Sequence, residues 1–355
     1  MKSRSLLFIL LGMLLAQVAL FALYYGNHDR ALVDDAFISF RYAERFGDGL
    51  GLTFNDGEAV EGFSNPLWTL LLGVLSATGI APHQIAPILS LVFLLGSLLV
   101  LYRFCRRAPW GLPAKALLMG VLAVDGGVLL WSGSGLETPL VVFLVCLWLT
   151  AAWPVGMDRS RGRALWLGCL TGLLLLARPE AVLWLVPMGA WLLWGLWLPV
   201  RFLLTAFASA VVLPAMYLVF RWVTYGALLP NTFFAKVEPG SQGWLQGLEN
   251  LGWWCLSHAA LAFLVLLTWS RHPFGKSALG PPWFRLFLVG WLLMQAAFVF
   301  AVGGDWMGHT RYLAVVIPVL AFLVAWQWEQ RFSVLREGRG LAVVLLFLVI
   351  HAGVG

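Results

Sequence analysis

Long runs of apolar residues recur from one end of the chain to the other, and they constrain its fold more than any other feature. A helix that crosses a bilayer needs about 20 largely apolar residues. Only 11% of the residues are charged, whereas a soluble globular domain has about 25%. The pattern predicts an all-α integral membrane protein, a multi-span helical bundle of about eleven spans. The runs lie near residues 5–25, 84–104, 115–133, 138–153, 164–177, 181–198, 203–222, 253–270, 285–302, 312–328 and 340–355.

The distribution of charge predicts which loops face the cytoplasm. Basic residues are concentrated at the N-terminus and in alternate loops, such as 103–115 and 159–163, which the positive-inside rule places in the cytoplasm. Most acidic residues lie in the opposite loops, above all in residues 26–65. This topology requires that the short apolar segment 66–80 lies in the interface and does not cross the membrane. The net charge of +6 is therefore a topology signal and not a nucleic-acid patch.

The N-terminus and the cysteines suggest no processing and no cross-linking. Residues 1–25 lack a small-x-small cleavage site, so we expect a retained anchor and not a signal peptide. The four cysteines fall within or at the ends of apolar runs without a CxxC pair, which argues against a disulfide or zinc framework. His309 is isolated and no ligand set is apparent, so the sequence offers no candidate metal site and leaves metal dependence open.

Compact polar clusters, flanked by Gly and Pro, occupy the predicted outer loops. The first loop opens on two adjacent carboxylates, Asp34 and Asp35. Since solvated loops have no need of such clusters, we expect them to converge on one site. The other clusters are Glu61–Pro66, Ser134–Pro139, Arg178–Glu180, Pro230–Lys236 and Gly303–Arg311.

These residue types suit transfer from a lipid-linked phosphate donor. A carboxylate near an acceptor hydroxyl can take its proton as the new bond forms. Arg and Lys can hold the departing phosphate and stabilise its charge. A transporter or flippase of lipid-linked sugar intermediates is the alternative, but such proteins often show internal repeats and binding residues near the midplane. Here the polar groups gather at one face and no repeat is evident.

Seven motifs in this order resemble a family of membrane glycosyltransferases in the GT-C fold class. It is the family of the mycobacterial terminal β-(1→2) arabinofuranosyltransferase and its relatives, including pilin arabinosyltransferases. Phe63 and Phe234 stand where the family commonly has Tyr. The motifs are Asp34–Ala43, Gly51–Asn55, Glu61–Trp68, Gly135–Thr138, Arg178–Glu180, Asn231–Lys236 and Gly303–Met307.

The resemblance implies transfer of a sugar, arabinofuranose, from a polyprenyl-phosphate donor to an extracytoplasmic glycan or glycoprotein. It also implies a multi-pass protein of the bacterial inner membrane, with its active site facing the periplasm or cell exterior. Besides the donor, the acceptor and membrane lipids, no cofactor and no nucleic-acid partner is expected. We expect one polytopic domain, 1–355, with an extracytoplasmic first loop at 26–82 that carries interfacial helices. The C-terminal soluble domain of larger relatives is absent from this sequence.

Asp34 or Asp35 is, by the same resemblance, the base that activates the acceptor. The other aspartate orients the sugar or the acceptor, or Asp34 caps the helix that follows, since Asp is a favoured N-cap residue. Predicted donor-phosphate ligands are Arg178, Lys236 and Arg311, with snorkelling to headgroups as the alternative for each. Predicted substrate-binding residues are Arg41, Glu61, Asn65, Glu137, Asn231 and Asp305.

Several of these residues have a second, structural interpretation. Glu137 and Glu180 stand at predicted helix starts, where the helix dipole favours an acid. Asn65 and Asn231 flank turns, where Asn is common. Asp125 falls inside the third apolar run, and a carboxylate at membrane depth is functional by default. Because it precedes Gly126 and Gly127, a local helix break is the alternative.

Overall fold

The protein is described by a computed structural model for residues 2–27, 32–153, 158–195, 198–231, 241–268, 284–304, 307, 311–332, 335 and 337–354. These ranges contain helices and no strand. The helices are α1 (Lys2–Asn27), α2 (Asp34–Gly47), α3 (Pro66–Ser76), α4 (Pro82–Arg107), α5 (Leu112–Val124), α6 (Gly126–Gly133), α7 (Thr138–Ala152), α8 (Arg161–Ala177), α9 (Ala181–Ala190), α10 (Val200–Tyr225), α11 (Ser241–Ser257), α12 (Ala259–Thr268), α13 (Phe284–Val302), α14 (Arg311–Ala314), α15 (Ile317–Phe332) and α16 (Glu337–Val354). A π-helical turn, Trp191–Gly195, follows α9.

Proline and short polar residues set the start of many helices. Pro lies in the first turn of α3, α4, α5 and α7, where its missing N–H has no intrahelical partner to lose. Ser160 caps α8 by accepting a hydrogen bond from the backbone N–H of Arg163. At the other end of a helix, Gly226 closes α10 in the left-handed region with φ of 67°.

Helices α5 and α15 form the centre of the bundle. Nearly every residue of both is buried, and they pack against each other. Helices α1, α4 and α16 lie against α5, whereas α7, α12 and α13 lie against α15. A helix that is apolar all round is buried by its neighbours and not amphipathic, which is the pattern in α5 and α15.

The described residues contain four helices that are long and apolar enough to cross a membrane, or up to six if each of two bent pairs is one span. A multi-pass membrane protein is therefore confirmed, but the predicted count of eleven spans is not. Helix α3 has 11 residues, about 16 Å, which is about half of a hydrocarbon core. Its length agrees with the prediction that segment 66–80 does not cross.

Both bent pairs break at a polar residue. Helices α5 and α6 meet at 41° around Asp125, and the pair Gly243–Ser257 and Ala259–Leu267 meets at 73° around His258. Asp125 is the N-cap of α6, because its Oδ1 accepts a hydrogen bond of 2.8 Å from the backbone N–H of Val128. The alternative of a local helix break at Asp125 is thus confirmed.

Helices α8 and α10 pack closely along a line of small residues. A Cβ atom at Gly168 would collide with the backbone of Ala206 and the hydroxyl of Ser209. A Cβ at Gly172 would lie 2.7 Å from the carbonyl oxygen of Ala210. Small residues let two helix backbones approach closely within a membrane, so the separation of α8 and α10 depends on these two glycines.

Candidate active site

Six polar residues from five separate segments of the chain meet near the starts of α2, α3, α7, α9 and α14. We call this group the charge cluster. The predicted convergence of the outer loops is confirmed for these residues, although the structure does not test what each one does. The members are Asp35, Asn65, Glu137, Arg178, Glu180 and Arg311.

Glu137 lies at the centre of the charge cluster. Its Oε1 is 2.8 Å from Nη2 of Arg178, and its Oε2 accepts a hydrogen bond of 2.6 Å from the amide of Asn65. Burial acts to raise the pKa of Glu137, but the charges of Arg178 and Arg311 and the Asn65 hydrogen bond together hold it below its usual value. Glu137 is therefore an anion within the protein.

Arg178 is held between two acids. Its Nη1 donates a hydrogen bond of 2.8 Å to Oε1 of Glu180, in addition to the contact with Glu137. Burial opposes the charge of Arg178, whereas the carboxylates of Glu137 and Glu180 raise its pKa. Glu180 is the residue before α9, and its side chain makes no capping hydrogen bond. Its carboxylate pairs with Arg178 instead of capping the helix.

Asn65 ties three helices together. Its Oδ1 accepts hydrogen bonds of 3.0 Å from the hydroxyls of Ser39 in α2 and Thr69 in α3, while its amide reaches Glu137 before α7. Because these contacts use both ends of the amide, Asn65 fixes the relative positions of the three helix starts.

The two adjacent aspartates differ in environment. Asp34 is exposed, and its Oδ1 accepts a hydrogen bond of 2.9 Å from the backbone N–H of Asp35. Val33 precedes α2 and Asp34 is the first helical residue, so Asp34 is not the N-cap. The Asp35 side chain is only 20% exposed, and its Oδ2 lies 3.8 Å from Nη1 of Arg311. Only Asp35 of the pair makes contact with the charge cluster.

Arg311 is a buried cation with aromatic rings on two sides. Its guanidinium carbon lies 5.2 Å from the ring centroid of Tyr312 and 5.8 Å from that of Trp131. The guanidinium carbon of Arg178 lies 5.5 Å from the same Tyr312 ring. A cation near a ring face is attracted by the ring quadrupole, most strongly in a desolvated site. Sequence reasoning missed both aromatic residues, although Tyr312 directly follows Arg311 in the chain.

Glu61 belongs to a second buried group and not to the charge cluster. Its carboxylate lies 2.6 Å from Nε of Arg221 and accepts a hydrogen bond of 2.6 Å from the hydroxyl of Tyr217. Its carbonyl oxygen accepts a hydrogen bond from the backbone N–H of Asn231. Glu61 thus joins the first loop to α10, and Asn231, whose side chain is exposed, lies beside it.

Arg41, a further predicted site residue, has no described contact with the charge cluster. Arg41 is exposed, donates a hydrogen bond to the carbonyl oxygen of Phe54 and pairs with Glu44 at 3.4 Å. Lys236 and Asp305 lie outside the described residues, as does His309.

A third buried polar group lies within the helical bundle. Oδ2 of Asp125 is 3.0 Å from Nε2 of His258 and 3.1 Å from Nε2 of His351. The two histidines are 133 and 226 positions away from Asp125 along the chain. Because no local spacing in the sequence connects the three, sequence reasoning singled out Asp125 but missed the two histidines.

No family model matches the chain. The terminal beta-(1->2)-arabinofuranosyltransferase of Mycobacterium tuberculosis is 28% identical in an alignment of 338 positions that covers 82% of this chain and 52% of that protein. The protein of the same name from Corynebacterium glutamicum is 29% identical in an alignment of 345 positions that covers 86% of this chain and 49% of that protein. The chain thus spans about half the length of these curated relatives.

Two crystal structures of ArnT from Cupriavidus metallidurans share the fold. The structure bound to undecaprenyl phosphate has a TM-score of 0.68 and 15% identity, over 99% of this chain and 64% of ArnT. The apo structure has a TM-score of 0.66 and 16% identity, over 98% of this chain and 63% of ArnT. The chain therefore has the helical membrane fold of ArnT, as the GT-C resemblance implied, and its similarity to the terminal β-(1→2)-arabinofuranosyltransferases is confirmed.

Proposed function

We propose that this chain is a membrane glycosyltransferase that moves arabinofuranose from a polyprenyl-phosphate donor to an extracytoplasmic glycan or glycoprotein acceptor. Three observations support the proposal. Its curated relatives carry the name of arabinofuranosyltransferases, and a protein of the same fold is bound to undecaprenyl phosphate. The third is the charge cluster itself, which places a partly exposed carboxylate beside a buried cation.

Asp35 is the acceptor-activating base in this proposal. The acceptor hydroxyl oxygen attacks the anomeric carbon of the donor sugar, and its proton passes to the carboxylate of Asp35. The bond from the anomeric carbon to the phosphate oxygen breaks, and polyprenyl phosphate leaves with the bonding electron pair. Asp34 is exposed, and its Oδ1 accepts a hydrogen bond from the backbone N–H of Asp35. In this proposal it orients the acceptor from the solvent side and is not the base.

Arg311 stabilises the phosphate as it departs. It lies 3.8 Å from Asp35, so the base and the cation that would hold the phosphate belong to the same site. Lys236 is the second phosphate ligand on the strength of its motif. Arg178 has a different function, because its charge is balanced by Glu137 and Glu180. It holds Glu137 and Asn65 in place, and Tyr312 separates it from Arg311.

The remaining predicted ligands belong to the rim of the same site. Glu137 and Asn65 form its rigid wall, whereas Asp305, Asn231 and Arg41 contact the sugar or the acceptor from the loops. Glu61 fixes the first loop on α10 and so defines the edge of the cleft. The alternation of basic and acidic loops supports an active site on the side of the membrane away from the cytoplasm. The bacterial inner membrane, with the site facing the periplasm or cell exterior, follows from the resemblance to the arabinofuranosyltransferases.

The approach of Asp35 to Arg311 is the observation that carries the proposal, and a reconstituted assay tests it. The full chain is placed in lipid vesicles with a polyprenyl-phosphate arabinofuranose labelled in the sugar and an arabinan oligosaccharide. We expect transfer of a pentose to the oligosaccharide and release of polyprenyl phosphate. Asp35→Asn should abolish both, whereas Arg163→Gln, at a partly exposed ion pair with Asp158, should keep most of the activity.

Two results would overturn the proposal. In one, Asp35→Asn transfers the sugar as fast as the unaltered chain does. In the other, the labelled donor crosses the vesicle membrane intact and no glycosidic bond forms, which would identify a transporter.

A further inference from the structure

The buried group of Asp125, His258 and His351 is assigned no part in sugar transfer. Asp125 lies at the break between α5 and α6, and His258 at the break between α11 and α12. His351 lies in the last turn of α16. All three are buried, and one ligand atom from each lies within 4.8 Å of the others. Three distant parts of the chain therefore direct one oxygen and two nitrogens at a common point.

The hydrogen bonds of His258 determine which of its ring nitrogens carries a proton. Its Nδ1 is 2.9 Å from the carbonyl oxygen of Trp254, and a carbonyl oxygen can only accept. Nδ1 therefore carries the hydrogen, and in the neutral ring Nε2 presents a lone pair. That lone pair points at Oδ2 of Asp125, which is also an acceptor, at 3.0 Å. Two acceptors at this distance repel unless a cation lies between them.

The contacts of Asp125 leave its Oδ2 atom available to bind an ion. Oδ1 is occupied by the backbone N–H of Val128, so Oδ2 alone faces both imidazoles. Nδ1 of His351 is buried and has no hydrogen-bond partner among the described residues. The neutral ring of His351 can therefore direct the Nε2 lone pair at the common point without losing another hydrogen bond.

We propose that Asp125, His258 and His351 bind a single transition-metal ion, and that zinc(II) fits these ligands best. Two imidazole nitrogens and one carboxylate oxygen are a common zinc ligand set that leaves a fourth position for water. The bond from Nδ1 of His258 to a backbone carbonyl is the kind of second contact that orients a metal-ligating histidine. The sequence alone indicated no ligand set for a metal, because the two histidines are 133 and 226 positions away from Asp125.

The ion would connect the bent pairs α5–α6 and α11–α12 to α16. Helix α6 runs from the residue after Asp125 to Gly133, about 12 Å, and it carries Trp131 against Arg311. An ion on Asp125 therefore fixes the helix that supports the charge cluster. Because none of its three ligands belongs to the charge cluster, we assign the ion a structural function and no part in the transfer chemistry.

Metal binding to the purified full chain tests the inference. The chain is purified in detergent through an affinity tag without histidine, treated with a chelator and titrated with cobalt(II), the spectroscopic substitute for zinc(II). We expect one equivalent of ion per chain, with visible absorption bands of tetrahedral or five-coordinate cobalt that zinc(II) displaces. His258→Gln and His351→Gln should weaken binding by roughly 100-fold or more.

A matched control is available in His83→Gln, because His83 is exposed at the start of α4. It should bind cobalt(II) as the unaltered chain does. A folded, unaltered chain that takes up no ion would overturn the inference and would indicate that a proton joins His258 to Asp125. Equal binding by the His258→Gln and His351→Gln variants would also overturn it. Since no sugar transfer is measured, the result is independent of the proposed function.

Discussion

The carboxylate of Glu137 lies 2.8 Å from the guanidinium of Arg178, and both side chains are almost completely buried. Neutralising Glu137 removes one of the two carboxylates beside the buried Arg178 and leaves its charge balanced only in part, by Glu180. We predict that Glu137→Gln lowers the free energy of unfolding by about 3 kcal/mol, measured by denaturation in detergent micelles. Glu44→Gln removes an exposed ion pair with Arg41 and should leave the unfolding midpoint unchanged. Equal midpoints for both variants would contradict the prediction.

The same ion pair predicts a pH dependence of stability. Arg178 and Arg311 hold the pKa of Glu137 below the ordinary value of 4.5, in spite of the opposing effect of burial. A lowered pKa stabilises the folded state above the ordinary value, and that stability is lost as the pH falls through the lowered pKa. The contribution of Glu137 should therefore be constant from neutral pH down to about 5 and decline below it. Melting curves of the unaltered chain and of Glu137→Gln should approach each other only at the acidic end.

Asp34 and Asp35 should respond differently to the same substitution. Asp35→Asn removes the proposed base, and we expect transfer to slow by roughly 10²–10⁴-fold. Asp34→Asn should slow transfer by less than about tenfold, because Asp34 is exposed and its carboxylate contacts only the backbone of Asp35 in the described residues. Rates of pentose transfer in vesicles check this, with thermal melting to show that both variants fold. A larger loss of transfer rate in Asp34→Asn than in Asp35→Asn would identify Asp34 as the base and Asp35 as the orienting residue.

Arg311→Lys should affect turnover more than stability. Lysine keeps the charge but loses the planar group that lies against Tyr312 and Trp131. We expect the turnover number to fall by roughly 10²–10³-fold, with a smaller change in the KM for the donor. Arg163→Lys, at the partly exposed pair with Asp158, is the matched control and should keep full activity. A change in KM alone would mean that Arg311 binds the donor equally before and during transfer.

Gly135 explains one of the family motifs in physical terms. Its φ is 84°, and a Cβ atom there would lie 2.9 Å from side-chain carbons of Leu32 and Phe40. Gly135→Ala should cost about 1–3 kcal/mol of stability and displace the loop that carries Glu137. Gly189→Ala, in a helix with no atom within 4 Å of the added Cβ, should be neutral or slightly stabilising. A stable, active Gly135→Ala variant would show that the loop tolerates another conformation.

Sequence reasoning succeeded where a pattern is local. The apolar runs predicted a helical membrane protein, and the polar loops on one predicted face meet in the charge cluster. It did not resolve the span count, because breaks such as the one at Asp125 divide an apolar run without changing its composition. It also could not pair Glu61 with Arg221, which is 160 positions away. Contacts of that kind depend on helix packing, which one sequence does not encode locally.

The glycine contact between α8 and α10 has a mechanical consequence. Tyr217 and Arg221, near the C-terminal end of α10, bind Glu61 of the first loop. The same helix packs closely against Gly168 and Gly172 of α8. An added methyl group at either glycine would push α10 away from α8 and move Tyr217 and Arg221 relative to Glu61. The position of the first loop therefore depends in part on the absence of side chains at two positions of α8.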